Sequence, residues 1–358
     1  MSNAKAYIHK VKEKMAVPFK HAKFSRWSSE SIILELNVDG VTGYGECAPR
    51  LYVTGESIDI VQKKLSSWIN ERLISVANSL LSGISFNELL VHEFNILKGA
   101  GPNTFCAIEL AIMDWFEKRT EMSLSPPPIV DSAPFIPVLD SYGRWNVSSS
   151  VISRSRLVKL KLADTLEETC KRIIEIRQNT SAVILLDVNN AWSKKEIPTA
   201  IPYCMDAGAE WFEEPCGVRD YQTLRNIRAY GAKILLDESI QNENDVITAF
   251  EEESVDGVNI RIAKCGGIFS ARKLAKLAKE KNISRYYGVQ VAEIGTLITA
   301  GRLLALSDPY PLGIEAGQSD IFFNSNILWV TSSALLRNEG IITRTFNDQL
   351  NGRNPAYD

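Results

Sequence analysis

From residue 136 to residue 315, short runs of apolar and β-branched residues alternate with stretches in which apolar residues recur at helical spacing. The runs cover residues 136–141, 157–162, 183–188, 210–214, 233–237, 258–263, 286–291 and 312–315. Between the second and third runs, Leu166, Cys170, Ile173 and Ile174 fall on one face of an amphipathic helix. Residues 268–277 and 297–306 follow the same spacing more loosely. A repeat of about 26 residues is the length of one strand, one helix and the two loops that join them. Eight such strands linked by right-handed crossovers predict a parallel barrel, (β/α)8 or a close variant.

The first 130 residues are patterned differently. Residues 31–38 and 42–46, joined around Asp39-Gly40, predict a hairpin, because Asp-Gly supplies the positive φ of a two-residue turn. Residues 57–71 and 105–120 have helical spacing, and the second stretch is apolar nearly all round, which predicts a buried helix. Pro126-Pro127-Pro128 then interrupts every pattern. Three segments are expected: an α+β domain over 1–130, a barrel over 131–320, and a segment over 321–358 that lacks the barrel's rhythm and returns to the first domain.

Composition narrows the function classes. Hydrophobic residues at 45% and charged residues at 23% describe a folded globular protein. A net charge of −3, from 40 basic and 43 acidic residues, gives a nucleic-acid backbone little to bind. No apolar run approaches the length of a membrane span, and lysines are spread through residues 1–14 where a leader would place an apolar stretch, so the expected location is the cytoplasm. The six cysteines are scattered without zinc-ligand spacing, as core thiols in a reducing compartment would be. Histidine occurs only at 9, 21 and 92, which excludes a mechanism built on an imidazole in the barrel.

In such a barrel the chemistry sits where strands end. The second run ends Val158-Lys159-Leu160-Lys161, the third Leu186-Asp187-Val188-Asn189, the fourth Phe212-Glu213-Glu214-Pro215, the fifth Leu236-Asp237-Glu238-Ser239 and the sixth Ala263-Lys264-Cys265-Gly266-Gly267. Asp187, Glu213 and Asp237 take the same place on successive strands and should converge. Three carboxylates in one ring require protons or a cation, and an all-oxygen donor set favours Mg²⁺. Lys159 and Lys161, two apart, point the same way, and if they face inward the two ammonium groups and a nearby dication would lower each other's pKa toward general-base service. Lys264 would face them across the metal.

These motifs, Lys-x-Lys, Asp-x-Asn, Glu-Glu-Pro, Asp-Glu-Ser and Lys-x-Gly-Gly in order, resemble those of the enolase superfamily, in its muconate lactonizing enzyme subgroup. Gly43-Tyr44-Gly45-Glu46-Cys47-Ala48-Pro49, Thr54-Gly55-Glu56-Ser57 and the helix from Ala107 to Trp115 extend the resemblance to the first domain. The resemblance implies a modified (β/α)7β barrel with an α+β capping domain drawn from both chain ends. It implies Mg²⁺ on Asp187, Glu213 and Asp237, with Lys161 and Lys264 as the acid/base pair on opposite faces of a small carboxylate substrate and Lys159 assisting. A homo-oligomer is expected.

The activity this implies is abstraction of a proton α to a carboxylate, giving an enolate stabilised by the cation. Racemisation or epimerisation of an amino-acid derivative or dipeptide-like substrate is the first reading. Cycloisomerisation or syn-dehydration is the alternative. From other classes, a Schiff-base aldolase using Lys264 or Lys161 and a non-catalytic relative stand as competitors. Dipeptide epimerases of the subgroup carry Asp-x-Asp on strand eight, where this chain has Gly313-Ile314-Glu315-Ala316-Gly317, leaving Glu315 alone to pair with an ammonium group. Glu293 either stands beside Lys264 or closes a salt bridge in the barrel. Asn189 joins the substrate-binding set, and basic residues of two cap loops, among them Lys20 and Arg50, would read an anionic distal group.

Overall fold

In the computed structural model, which describes residues 3–21, 24–97, 99–122, 124, 138–139, 152–153, 155–291 and 293–316, the chain opens with an antiparallel sheet. Its strands are β1 (Ala4–His21), β2 (Phe24–Val38) and β3 (Val41–Cys47), in that order. The expected hairpin is β2–β3, with Asp39 and Gly40 both at positive φ (52° and 80°), as a two-residue turn of this hand demands. The sequence analysis missed β1. As an edge strand it alternates lysines with small and apolar residues over most of its length, and its one apolar run, residues 15–19, is interrupted by Pro18.

Helices α1 (Leu51–Thr54), α2 (Ile58–Leu81), α3 (Phe86–Ile96) and α4 (Pro102–Thr120) complete this layer. The second begins where expected, capped by the Ser57 hydroxyl accepting from the Ile60 N–H, and runs ten residues past its expected end at 71. The fourth is buried over nearly its whole length, as its apolar sequence predicted. It lies against β3 so closely that only glycine fits: a Cβ on Gly43 or Gly45 would run into the backbone of Ala107 and Ala111. Gly45→Ala is therefore expected to destabilise the protein at the upper end of about 1–3 kcal/mol, read as a lowered thermal midpoint. An unchanged midpoint would contradict this packing.

The remaining strands are β4 (Val138–Leu139), β5 (Leu157–Lys161), β6 (Val183–Asp187), β7 (Trp211–Glu213), β8 (Lys233–Leu236), β9 (Gly257–Ile260), β10 (Ser284–Tyr287) and β11 (Gly313–Ile314). They pair in chain order, all parallel, in a nearly closed barrel. The intervening helices are α5 (Leu166–Asn179), α6 (Ile197–Ala207), α7 (Tyr221–Arg228), α8 (Glu243–Glu251), α9 (Ile262–Cys265), α10 (Ile268–Glu280) and α11 (Thr296–Leu306). One difference from expectation matters for the site. The sixth strand stops at Ile260, and residues 262–265 coil into the single turn α9, so Lys264 sits on a helical turn.

Alternation along the strands sorts the barrel interior into layers. Leu157, Leu185, Trp211, Leu235 and Tyr286 pack together as an apolar floor. Two residues further along their strands, Lys159, Asp187, Glu213 and Asp237 occupy the same inward side. A buried polar layer thus lies on a dry one, at the carboxyl-terminal end. Among the described residues no helix is long and apolar enough to cross a membrane. The proline-rich interruption, the proposed boundary at 130 and residues 321–358 lie outside the described residues.

Candidate active site

Register brings the acidic residues together. Asp187 pairs with Glu213 across β6 and β7, and Asp237 follows β8 on the next strand. All three carboxylates are buried. Lys159, also buried, places its Nζ 3.1 Å from Asp187 Oδ2, 2.8 Å from Glu213 Oε2 and 3.1 Å from Glu315 Oε2. Lys161, at the tip of β5, is 3.3 Å from Asp187 Oδ2. Both lysines share one side of the strand, as their spacing predicted, and that side faces the barrel interior.

The electrostatic outcome differs from the expected one. Burial alone would lower the Lys159 pKa, but Asp187, Glu213 and Glu315 outweigh it and hold the ammonium well above its ordinary value. Burial pushes Asp187 up, yet the ammonium groups of Lys159 and Lys161 prevail and keep it well below the usual carboxylate range. These three carboxylates favour the charged form of Lys159.

Across the barrel, Lys264 is fully buried. Its Nζ donates to the Asp237 carbonyl at 2.6 Å, to Asp237 Oδ1 at 2.8 Å and to the Asn259 carbonyl at 2.8 Å. Burial, and after it the neighbouring Arg261 charge, brings its pKa down to about 8, the direction a general base requires. Arg261 holds Asp237 through both Nε, at 2.8 Å, and Nη2, and reaches Gln290 Oε1 at 3.1 Å. Asn259 Nδ2 donates to Glu213 Oε1 at 2.7 Å. Glu214, at a left-handed φ of 41°, turns away from this layer and accepts the Asp237 and Ser239 N–H groups.

Among the described residues, no group of three or more His, Cys, Asp or Glu side chains is disposed to hold a metal ion as it stands. Lys159 lies between Asp187 and Glu213, while Arg261 and Lys264 take Asp237. The donor set nevertheless suits a hard cation. Three buried carboxylates end three adjacent strands, and Asp187 Oδ1 is buried without a hydrogen-bond partner.

The expected substrate contacts fare unevenly. Glu315 is drawn into the barrel, where its Oε2 accepts from Lys159 and, at 3.1 Å, from the Tyr286 hydroxyl, so it is not a free partner for an ammonium group. Arg50 is corrected more sharply. Its guanidinium donates to the carbonyls of Glu30, Pro49 and Val291 and to Ser29 Oγ, and it braces the cap loop against the loop that follows β10 where the sequence suggested a substrate contact. Glu293 accepts the Gln290 N–H at 2.9 Å, and burial pushes its carboxyl up to about 8 despite nearby Arg50 and Arg261. Asn189 follows β6 at a left-handed φ of 49°. For Lys20 only the backbone is described, paired with Ser25.

Four residues in or beside this layer were not expected as site members: Asn259, Arg261, Glu238 and, from the floor below, Tyr286, whose hydroxyl reaches Glu315. Asn259 and Arg261 are two apart at the end of β9, and the alternation argument used for Lys159 and Lys161 would have found them. Glu238 is buried with Oε2 unpartnered, and burial, joined by the charges of Glu214 and Asp187, pushes its carboxyl up to about 8.

Residues 147–319 match the family model for enolase C-terminal domain-like proteins. The chain is 25% identical over 327 residues to a hydrophobic dipeptide epimerase of Enterococcus faecalis, covering 85% of this chain and 87% of that protein. It is 26% identical over 323 residues to an N-succinyl-L-Arg/Lys racemase of Bacillus cereus, covering 86% and 85%. The crystal structure of the E. faecalis dipeptide epimerase complexed with Mg and L-Leu-L-Tyr superposes with a TM-score of 0.74 at 23% identity, over 89% of this chain and 91% of that one. With the ordered strand-end motifs and the barrel that carries them, residues 147–319 are an enolase C-terminal domain-like domain, and the likenesses support an enzyme of the mandelate racemase/muconate lactonizing enzyme group of the enolase superfamily.

Proposed function

We propose that this enzyme removes and returns the proton α to a carboxylate, racemising or epimerising an amino-acid derivative with Mg²⁺ as cofactor. The observation that carries the reading is the placement of Lys161 and Lys264. Their strands, β5 and β9, are four apart in an eight-strand order, so the amines reach the carboxylate ring from opposite sides. Asp187, Glu213 and Asp237 would hold the cation, which when bound offsets the negative charge that develops on the substrate's carboxylate oxygens. Lys264, with its lowered pKa, removes the α-proton from one face. Lys161 delivers or removes a proton on the other. Lys159 stays charged and holds Asp187, Glu213 and Glu315 in place.

The engagement of Glu315 sharpens the substrate class. A substrate ammonium at strand eight would have to compete with Lys159 and Tyr286 for this carboxylate, and an unpaired buried charge is costly. This favours a substrate whose nitrogen is neutral, an N-acyl amino acid, over a dipeptide with a free amino terminus. The test is incubation of each isomer of N-acetyl and N-succinyl amino acids and of dipeptides in deuterated water with Mg²⁺. The expected result is α-deuteration and isomer interconversion, faster with the N-acyl compounds. Failure of every α-substituted carboxylate to exchange would sink the proposal, and exchange confined to dipeptides would reverse the substrate choice.

Metal binding has a readout apart from turnover. Because Mg²⁺ would relieve repulsion in a buried acidic ring, millimolar Mg²⁺ is expected to raise the thermal midpoint, with about 2.7 kcal/mol of stabilisation at a hundredfold excess over its Kd. A midpoint indifferent to Mg²⁺, together with activity in excess chelator, would refute the metal assignment.

A further inference from the structure

The turn that carries Lys264 is held from outside the barrel. After α9 the chain passes Gly266 and Gly267, at φ 85° and 113°, into α10. The Glu109 carboxylate, from the cap helix α4, is fully buried at that junction. Its Oε1 accepts the Phe269 N–H at 2.7 Å, in the first turn of α10. Its Oε2 has no hydrogen-bond partner and is wedged against Gly267, where an added Cβ would collide with it. Gly266 lies against Pro102, at the start of the same cap helix. Glu46, from β3, makes a parallel contact, accepting the N–H groups of Ile294 at 2.9 Å and Leu297 at 3.1 Å where α11 begins. Two cap carboxylates therefore receive the free N–H groups of two successive barrel helices, each following a strand that borders the site.

We infer that Glu109 is a positioning residue for Lys264: by fixing the first turn of α10 and filling the space beside Gly267, it couples docking of the cap to the placement of the lysine turn. Only four residues separate Lys264 from Phe269, and the two in the middle, Gly266 and Gly267, are glycines at positive φ. Glycine tolerates many backbone conformations, so such a junction keeps one geometry only if something outside it imposes that geometry. A misplacement of about 1 Å at a reacting group can cost about a hundredfold in rate.

The inference rests on the α-proton reading for its catalytic consequence, and its test separates the two. The face of Lys264 is defined as the isomer whose exchange Lys264→Ala abolishes. Glu109→Met keeps the length of the side chain and removes the acceptor, and since burial pushes the Glu109 carboxyl up to about 8 it discards little favourable charge. It is expected to slow exchange on the Lys264 face by about tenfold to a hundredfold while leaving the Lys161 face at the parent rate. Glu109→Gln, which can still accept from Phe269, should restore the loss. Gly267→Ala, approaching the same contact from the other side, should reproduce the face-selective loss and serves in place of Glu109→Met if that variant does not fold. Amide hydrogen exchange over residues 265–269 of the full chain, read by mass spectrometry, should quicken in Glu109→Met and recover in Glu109→Gln. Equal losses on both faces, or unchanged protection of that segment, would overturn the inference. If the parent protein exchanges no α-proton at all, the functional reading fails, while the amide measurement still decides whether Glu109 holds the turn.

Discussion

Lys161→Ala and Lys264→Ala are each expected to abolish interconversion of the two isomers, by at least about 10³-fold, while each retains α-proton exchange with deuterated water for one isomer only. The two variants should spare opposite isomers. The argument is geometric. Lys161 ends β5 and contacts Asp187, whereas Lys264 sits on the turn after β9 and contacts Asp237, so the amines approach the carboxylate ring from strands on opposite sides. Neither can reach across to the other's face. The measurement is isotope incorporation into each pure isomer, followed by NMR or mass. If one single variant exchanges both isomers at equal rates, a two-base mechanism is wrong. Loss of exchange with Lys161→Ala alone would favour a one-base cycloisomerisation or dehydration, with Lys264 acting only through its charge.

Lys159→Met is expected to be among the most destabilising substitutions in the barrel, at about 3–5 kcal/mol, although methionine matches the lysine stem in length. The ammonium it removes is the common partner of Asp187, Glu213 and Glu315, all within 3.1 Å, and it is itself buried. What remains is two buried carboxylates and one partly buried one with much of their compensation gone. Chemical denaturation reads the loss directly. Adding Glu315→Gln in the same chain should recover part of it, because the double variant no longer carries one of the unpaired charges, and the two effects should therefore be non-additive. Strict additivity would mean that Lys159 and Glu315 do not interact in solution.

Much of this was legible before any coordinates. The alternation of apolar runs with amphipathic stretches specified a parallel barrel, since few other arrangements cover both faces of so many buried strands. The period of two along a strand placed Lys159 and Lys161 on one side, and equal spacing placed Asp187, Glu213 and Asp237 at equivalent strand ends. Asp39-Gly40 marked its hairpin because the required φ belongs to so few residues. Local rules of this kind are carried by neighbours in sequence and can be read from them.

The rest depended on contacts between residues far apart in the chain. Glu315 lies 156 positions from Lys159 and 29 from Tyr286, and only closure of the barrel makes it their partner and withdraws it from a substrate. Arg50 looked available because its guanidinium is charged, yet it is held by the Val291 carbonyl, 241 residues away. The direction of the Lys159 shift depends on such contacts too: Asp187, Glu213 and Glu315 stand within 3.1 Å of its Nζ, and of these Glu315 was not expected beside it. The sequence by itself determined the barrel, the strand ends that bear charge and the kinds of group available for chemistry, because these follow from periodicity. The tertiary structure alone decided which charges meet, because Coulomb energies and hydrogen bonds act across a few ångströms of space whatever the separation along the chain.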